Sequence, residues 1–128
     1  MKLMVEVAPG ELIDKITILK IKLENINNGA KLANIRREYE ILMDTFRSQV
    51  EETEDLRALI DELRAINQKI WDIEDEIRDL ERAKDFGDQF VAVARSVYRS
   101  NDRRAAAKRK INELLNSVII EEKSYTDY

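Results

Sequence analysis

Two interleaved heptad series dominate the chain. Leu56, Leu63, Ile70 and Ile77 recur every seven residues, and so do Leu59, Ile66, Ile73 and Leu80. Apolar residues at both heptad positions over about 25 residues demand a long helix with one continuous packing seam, supercoiled left-handed against a partner helix. A lone helix of that kind leaves its seam wet, so the rest of the chain must supply the cover. The nearest candidate follows Lys84-Asp85-Phe86-Gly87, where Phe90, Ala94 and Val97 begin a matching seam and Ile111, Leu114, Leu115 and Val118 finish it. The two segments then form a long antiparallel hairpin.

Charge supports the same pairing. Six acids and one base lie between Asp72 and Glu81, whereas seven bases and one acid lie between Arg95 and Lys110. Folded back at Phe86-Gly87, the acidic arm is expected to attract and neutralise the basic one. The third helix opens with Glu54 and Asp55 and closes with Arg82 and Lys84, matching its dipole. Gly87 is expected to stop it, and Asp88 to cap the fourth.

Upstream, Pro9 opens a first helix, where its missing N–H costs nothing. Leu12, Ile16, Leu19, Leu23 and Ile26 follow in 4-3-4-3 spacing, and Ile13, Ile18 and Ile21 widen the apolar surface enough for more than one neighbour. Asn27-Asn28-Gly29 ends it. A second helix carries Leu32, Ile35, Tyr39, Leu42, Phe46 and Val50 on one face, and the short joint makes the pair antiparallel. The expected organisation is one all-α domain over residues 1–128, an antiparallel bundle of two hairpins. Helices are placed at about 9–27, 31–50, 54–85 and 88–117, with a short arm at 2–7 and a tail at 118–128. The longer hairpin should project beyond the shorter and leave apolar seam for a second copy to cover.

The ends leave two uses open. Leu3, Val5 and Val7 alternate with Lys2, Met4 and Glu6, and Val118-Ile119-Ile120 precedes Glu121-Glu122-Lys123. These stretches either pair with each other as a small two-stranded sheet or add to a partner's edge; an isolated pair is marginal in water.

Composition narrows the chemistry. Without cysteine or histidine, thiolate nucleophiles, disulfides and the commonest metal ligand and general base are all missing. Hydrophobic residues at 44% and charged residues at 38%, with three Gly and one Pro, describe an ordered helical protein. The N-terminus lacks a secretory signal, and no run approaches the ~18 apolar residues of a membrane span. A cytoplasmic protein is expected. A net charge of −4 argues against general nucleic-acid affinity.

Between Val97 and Ile111 the fourth helix's seam falls on Asn101, Arg104 and Lys108, with Ala105, Ala106 and Ala107 as its only apolar residues. Trp71 should lie opposite. Trp71, Glu74, Arg78, Asn101, Arg104 and Lys108 are therefore the candidate ligand-binding residues, an aromatic wall and a cationic rim for an anionic metabolite such as a sugar nucleotide. The competing reading makes Asn101 a register-fixing residue, Trp71 part of the core and the cations partners of the acidic arm. No catalytic residue and no cofactor is assigned. Glu51-x-x-Glu54 followed by Glu76-x-x-Asp79 matches the string of helical di-metal pyrophosphohydrolases, but Glu54 and Glu76 lie about 33 Å apart along one helix, too far to share an ion. No metal site is assigned. Leu56 to Asp61 is similar to the opening of helical chorismate mutases over barely a turn and a half, too little to carry an assignment.

Several phrases taken together carry a broader resemblance. They are Pro9 to Leu19, Lys31 to Asn34, Trp71 to Asp75, Lys84 to Gly87, Tyr98 with Asn101 to Ala106, and Glu121 to Tyr125. Through them the chain, apart from the stretch around Asp44 to Leu56, resembles a family of small bacterial and phage helical proteins classed as a domain of unknown function. Its members occur free-standing or beside glycosyltransferase or tetratricopeptide-repeat modules. The resemblance implies a defined module in the setting of surface-carbohydrate metabolism and supplies no catalytic residues. The function expected is a non-enzymatic interaction or adaptor module, with a protein partner or self-association; the alternative is a small-ligand or enzymatic bundle.

Overall fold

The computed structural model describes residues 1–128 and contains four helices and no strand: α1 (Pro9–Asn25), α2 (Gly29–Gln49), α3 (Glu54–Arg82) and α4 (Asp88–Leu114). It is an all-α bundle in which α1 and α2 form one hairpin and α3 and α4 the other. Most helices end slightly earlier than their apolar periodicity does, because the caps decide. Asn28, expected to terminate α1, instead caps α2 by accepting the Lys31 amide at 3.0 Å. Thr53 does the same for α3 through the Leu56 amide. At the hairpin tip the left-handed residue is Lys84, at φ 56°, not Gly87. Asp85 accepts the Gly87 amide in a local turn, so Gly87 becomes the N-cap position and Asp88 the first helical residue.

The helix that organises the bundle is α1. It lies against each of the other three, whereas the backbone of α2 runs beside α1 alone. Leu12, Ile13, Asp14, Ile16, Thr17, Leu19 and Ile21 are all buried, covering most of its circumference. That follows from the extra isoleucines, which give α1 an apolar surface too wide for one neighbour. Its core is shared with Phe46 of α2, Leu56 and Leu63 of α3, and Ala107 and Ile111 of α4.

Along α4 the inward positions differ from expectation. Val93, Ser100, Ala107 and Ile111 are buried, with the half-buried Val97 and Arg104 between them. The seam therefore runs through 93, 97, 100, 104, 107 and 111 and does not pass through Asn101 and Lys108. Small side chains at Ser100 and Ala107 let the neighbouring helices approach, so the apparent polar break is a stretch of close packing seen from the wrong face.

The expected charge pairing between the arms is also corrected. Lys110 meets Glu62 at 3.3 Å and Gln89 meets Glu76 at 3.1 Å, which sets the register of the hairpin. In that register Arg103 to Lys110 lies beside the first half of α3, not beside Asp72 to Glu81. No ion pair joins the two runs: Glu74, Asp79 and Glu81 pair within their own neighbourhood, to Arg78, Arg82 and Lys84. Arg95, Arg99, Arg103 and Arg104 form no ion pair, while Arg109 pairs along its own helix with Glu113.

The termini do not form a sheet. Residues 1–7 make no backbone hydrogen bond, and the tail turns back over α4, where its charges find partners that a marginal two-stranded pair would not supply. No helix is long and apolar enough to cross a membrane.

Candidate functional site

The first turn of α1 packs against the last turns of α4 more closely than a side chain would permit. The Gly10 amide donates to Asn112 Oδ1 at 2.7 Å, and a methyl group at Gly10 would stand 2.7 Å from the Lys108 carbonyl oxygen. This approach brings Lys108 to the carboxylates of α1. Its ammonium donates to Glu11 Oε2 at 2.6 Å and lies 3.9 Å from Asp14 and 3.7 Å from Glu121 of the tail. Burial by itself would pull the Lys108 ammonium down, but the Glu11 hydrogen bond and the charges of Asp14, Glu11 and Glu121 outweigh it and hold its pKa above the ordinary lysine value. The hydrogen bond from Lys108 holds Glu11 below the usual glutamate range, against the opposing effect of burial.

Behind this cluster a polar network crosses the core. Asn67 of α3 donates through Nδ2 to both Asp14 Oδ1 and Thr17 Oγ1 at 2.8 Å, and the Thr17 hydroxyl donates to the Asp14 carbonyl at 2.8 Å. Both neighbours offer Asn67 only acceptors, which fixes its amide orientation and leaves Oδ1 buried without a partner. Ser100 Oγ is likewise buried and unpartnered. Asn67, Ser100 and Asp14 were not legible as site residues in the sequence. The available signal was Asn67 itself, a polar residue flanked by Leu63, Ile66 and Ile70, and it points to contact with another helix only once the helices are docked; Ser100, on a face shared with Arg104, gave none.

The six residues marked as candidates divide between two cavities. Trp71, Glu74 and Arg78 line a cavity of about 400 Å³ on α3, closed by Ile18 and Ile21 of α1 and by Arg104. Asn101 and Lys108 line another, of about 570 Å³, between α4 and the tail. Arg104 reaches both. Its guanidinium has no ion pair or hydrogen bond, whereas Arg78 is held by Glu74 through both the carboxylate and the carbonyl. Lys108 is engaged by three carboxylates.

The second cavity is roofed by the tail. Lys123 and the Tyr128 hydroxyl both donate to Asp102, the latter at 2.6 Å, and the Tyr128 ring packs edge-on against Tyr98 with centroids 5.0 Å apart. The Lys123 and Tyr128 hydrogen bonds hold Asp102 below the ordinary aspartate value. No three carboxylates converge closely enough to hold a metal ion. A lysine whose pKa is raised stays protonated, so the Lys108 cluster clamps helices together and offers no amine for nucleophilic or base chemistry.

No curated protein and no solved structure matches the chain. A family model does, and it spans residues 1–128. With its four-helix bundle, the chain belongs to the family described as a family of unknown function, DUF6165.

Proposed function

We infer that the protein is a non-enzymatic interaction module whose contacts are made through its ends. The observation that carries this reading is the N-terminal arm. Met1, Leu3, Met4, Val5 and Val7 are all exposed and the arm's backbone groups have no partner, while the bundle beside it has a core of its own. Apolar side chains with β-forming alternation and unused backbone donors are suited to a partner surface. One cation of the anticipated anion site supports the same reading, since Lys108 is already paired with the chain's own carboxylates. The resemblance to modules found beside glycosyltransferases directs the search for a partner toward enzymes of glycan assembly.

A second reading rests on the 400 Å³ cavity, where Trp71 offers an aromatic wall, Arg104 is unpaired and Asn67 Oδ1 lacks a donor. An anionic metabolite such as a sugar nucleotide would suit it. A thermal-shift panel of sugar nucleotides, organic dianions and magnesium separates the two. The interaction reading expects an unchanged melting temperature throughout. A rise of several degrees that disappears in Arg104→Ala, with helicity retained, would favour the second reading instead.

A further inference from the structure

We propose that the N-terminal arm pairs with the same arm of a second copy, forming a two-stranded antiparallel ribbon centred on Met4. The inference deepens the reading of the chain as an interaction module by naming the partner as the chain itself.

The arm is self-complementary in one register. Paired antiparallel about Met4, Lys2 faces Glu6 of the second copy and Glu6 faces its Lys2, so two opposite-charge pairs form. Leu3 faces Val5, Met1 faces Val7 and Met4 faces Met4. Residues of the same parity lie opposite one another, so the ribbon has one wholly apolar face, from Met1, Leu3, Val5 and Val7 of both copies, and one face carrying the charges. Sliding the register by two residues either way sets a charge against Met4 and strands the other. Sliding it by one mixes the faces. Neither Lys2 nor Glu6 is engaged within the chain, because every ion pair begins at Glu11 or beyond.

A ribbon of this size is marginal unless something apolar lies beneath it, and the bundle end provides that floor. The Gly10–Asn112 hydrogen bond puts the root of the arm beside the end of α4, where Leu114, Val118 and Ile120 are exposed. In an antiparallel pair each Met1 reaches the root of the other arm. The apolar tip of one arm therefore lies over the exposed end of the partner's bundle, covering residues that neither copy covers alone. The root itself is firm, since Ala8 is buried and its carbonyl accepts the Glu11 and Leu12 amides. Such a contact is two-fold symmetric and closed, so it stops at a dimer.

Analytical ultracentrifugation of the full chain and three variants tests the register. The wild type is expected to sediment as a dimer at micromolar concentration. Lys2→Glu and Glu6→Lys each place like charges opposite twice and should weaken association about tenfold or more. Mixing the two singles should give a heterodimer, because all its facing charges are opposite. The double variant carrying both exchanges should dimerise like the wild type. Circular dichroism should be unchanged throughout, since the arm makes no hydrogen bond or ion pair with the bundle. A monomeric wild type, single variants that associate as the wild type does, or a double variant that stays monomeric would overturn the proposal. These outcomes are independent of the ligand panel: a monomer with a silent panel removes only the self-pairing, whereas an Arg104-dependent shift removes the interaction reading itself.

Discussion

Gly10 has a role that its position in the first turn of a helix conceals. Alanine there would be the better helix former by about 1 kcal/mol. Its Cβ, however, would meet the Lys108 carbonyl at 2.7 Å and Asn112 Oδ1 at 2.8 Å, and the first of these is backbone that cannot swing aside. Gly10→Ala should therefore lower unfolding free energy by about 1–3 kcal/mol in urea titrations, the cost of an overpacked contact exceeding the propensity gain. Ser100 is the opposite case. Its hydroxyl is buried without a partner, so deleting it removes a desolvation penalty and no hydrogen bond. Ser100→Ala is expected to leave stability unchanged or raise it by up to about 1 kcal/mol, read as a higher denaturation midpoint with the same slope. Both residues look unremarkable in the sequence because their importance lies in distance to another helix, not in their own propensity.

At the scale of elements, α1 is the piece on which the others depend, and Lys108 is how α4 holds it. Replacing Lys108 with Met leaves Asp14 without its ion-pair partner and Glu11 with only Lys15, 3.7 Å away, and should cost about 1–2 kcal/mol at neutral pH. The pH dependence has a definite sign. Because Glu11 is depressed in the folded state, its contribution is present above its ordinary value of 4.5 and is lost as pH falls through the lower folded value. Because Lys108 is raised, its contribution is present below 10.5 and is lost as pH rises through the higher folded value. Thermal melts across pH should show both limbs in the wild type. In Lys108→Met both limbs should shrink, the acid one because Glu11 keeps only Lys15. The pairing of α3 with α4 was legible in the heptads, but the seam on α4 was not. Asn101 and Lys108 fit a 4-3 spacing that links Phe90 to Ile111 as well as Ser100 and Ala107 do, and a serine and an alanine give no hydrophobic signal by which to choose.

Considered whole, the molecule buries its core around α1 and leaves its most exposed apolar residues on the arm and the tail, with Ile41 of α2 and Phe86 and Val91 near the hairpin tip exposed elsewhere. The tail also shows how the segregated charges are used. Apart from the Lys110–Glu62 pair, they do not join the two arms of the long hairpin. Instead Glu121 and Lys123 fasten the tail to Lys108 and Asp102 of α4. The proposed interaction role would use the helical body for positioning and the unpaired arm for contact, so dimerisation and its charge-exchange rescue belong to this scale.

What the sequence determined by itself is local or nearly so: four helices, the approximate places of their breaks, and two hairpins joined by short turns. Helical periodicity and short loops act over a few residues, and nothing distant overrides them here. What only the tertiary structure decided is rotation and offset. One residue of register turns a helix face by about 100°. That difference moves Lys108 from an anticipated ligand groove to the carboxylates of α1, and splits Trp71 from Asn101. The choice was made by where α1 docks, almost a hundred residues from Lys108 in the chain, through Gly10, Asn67 and the small residues of α4 that allow the helices to meet.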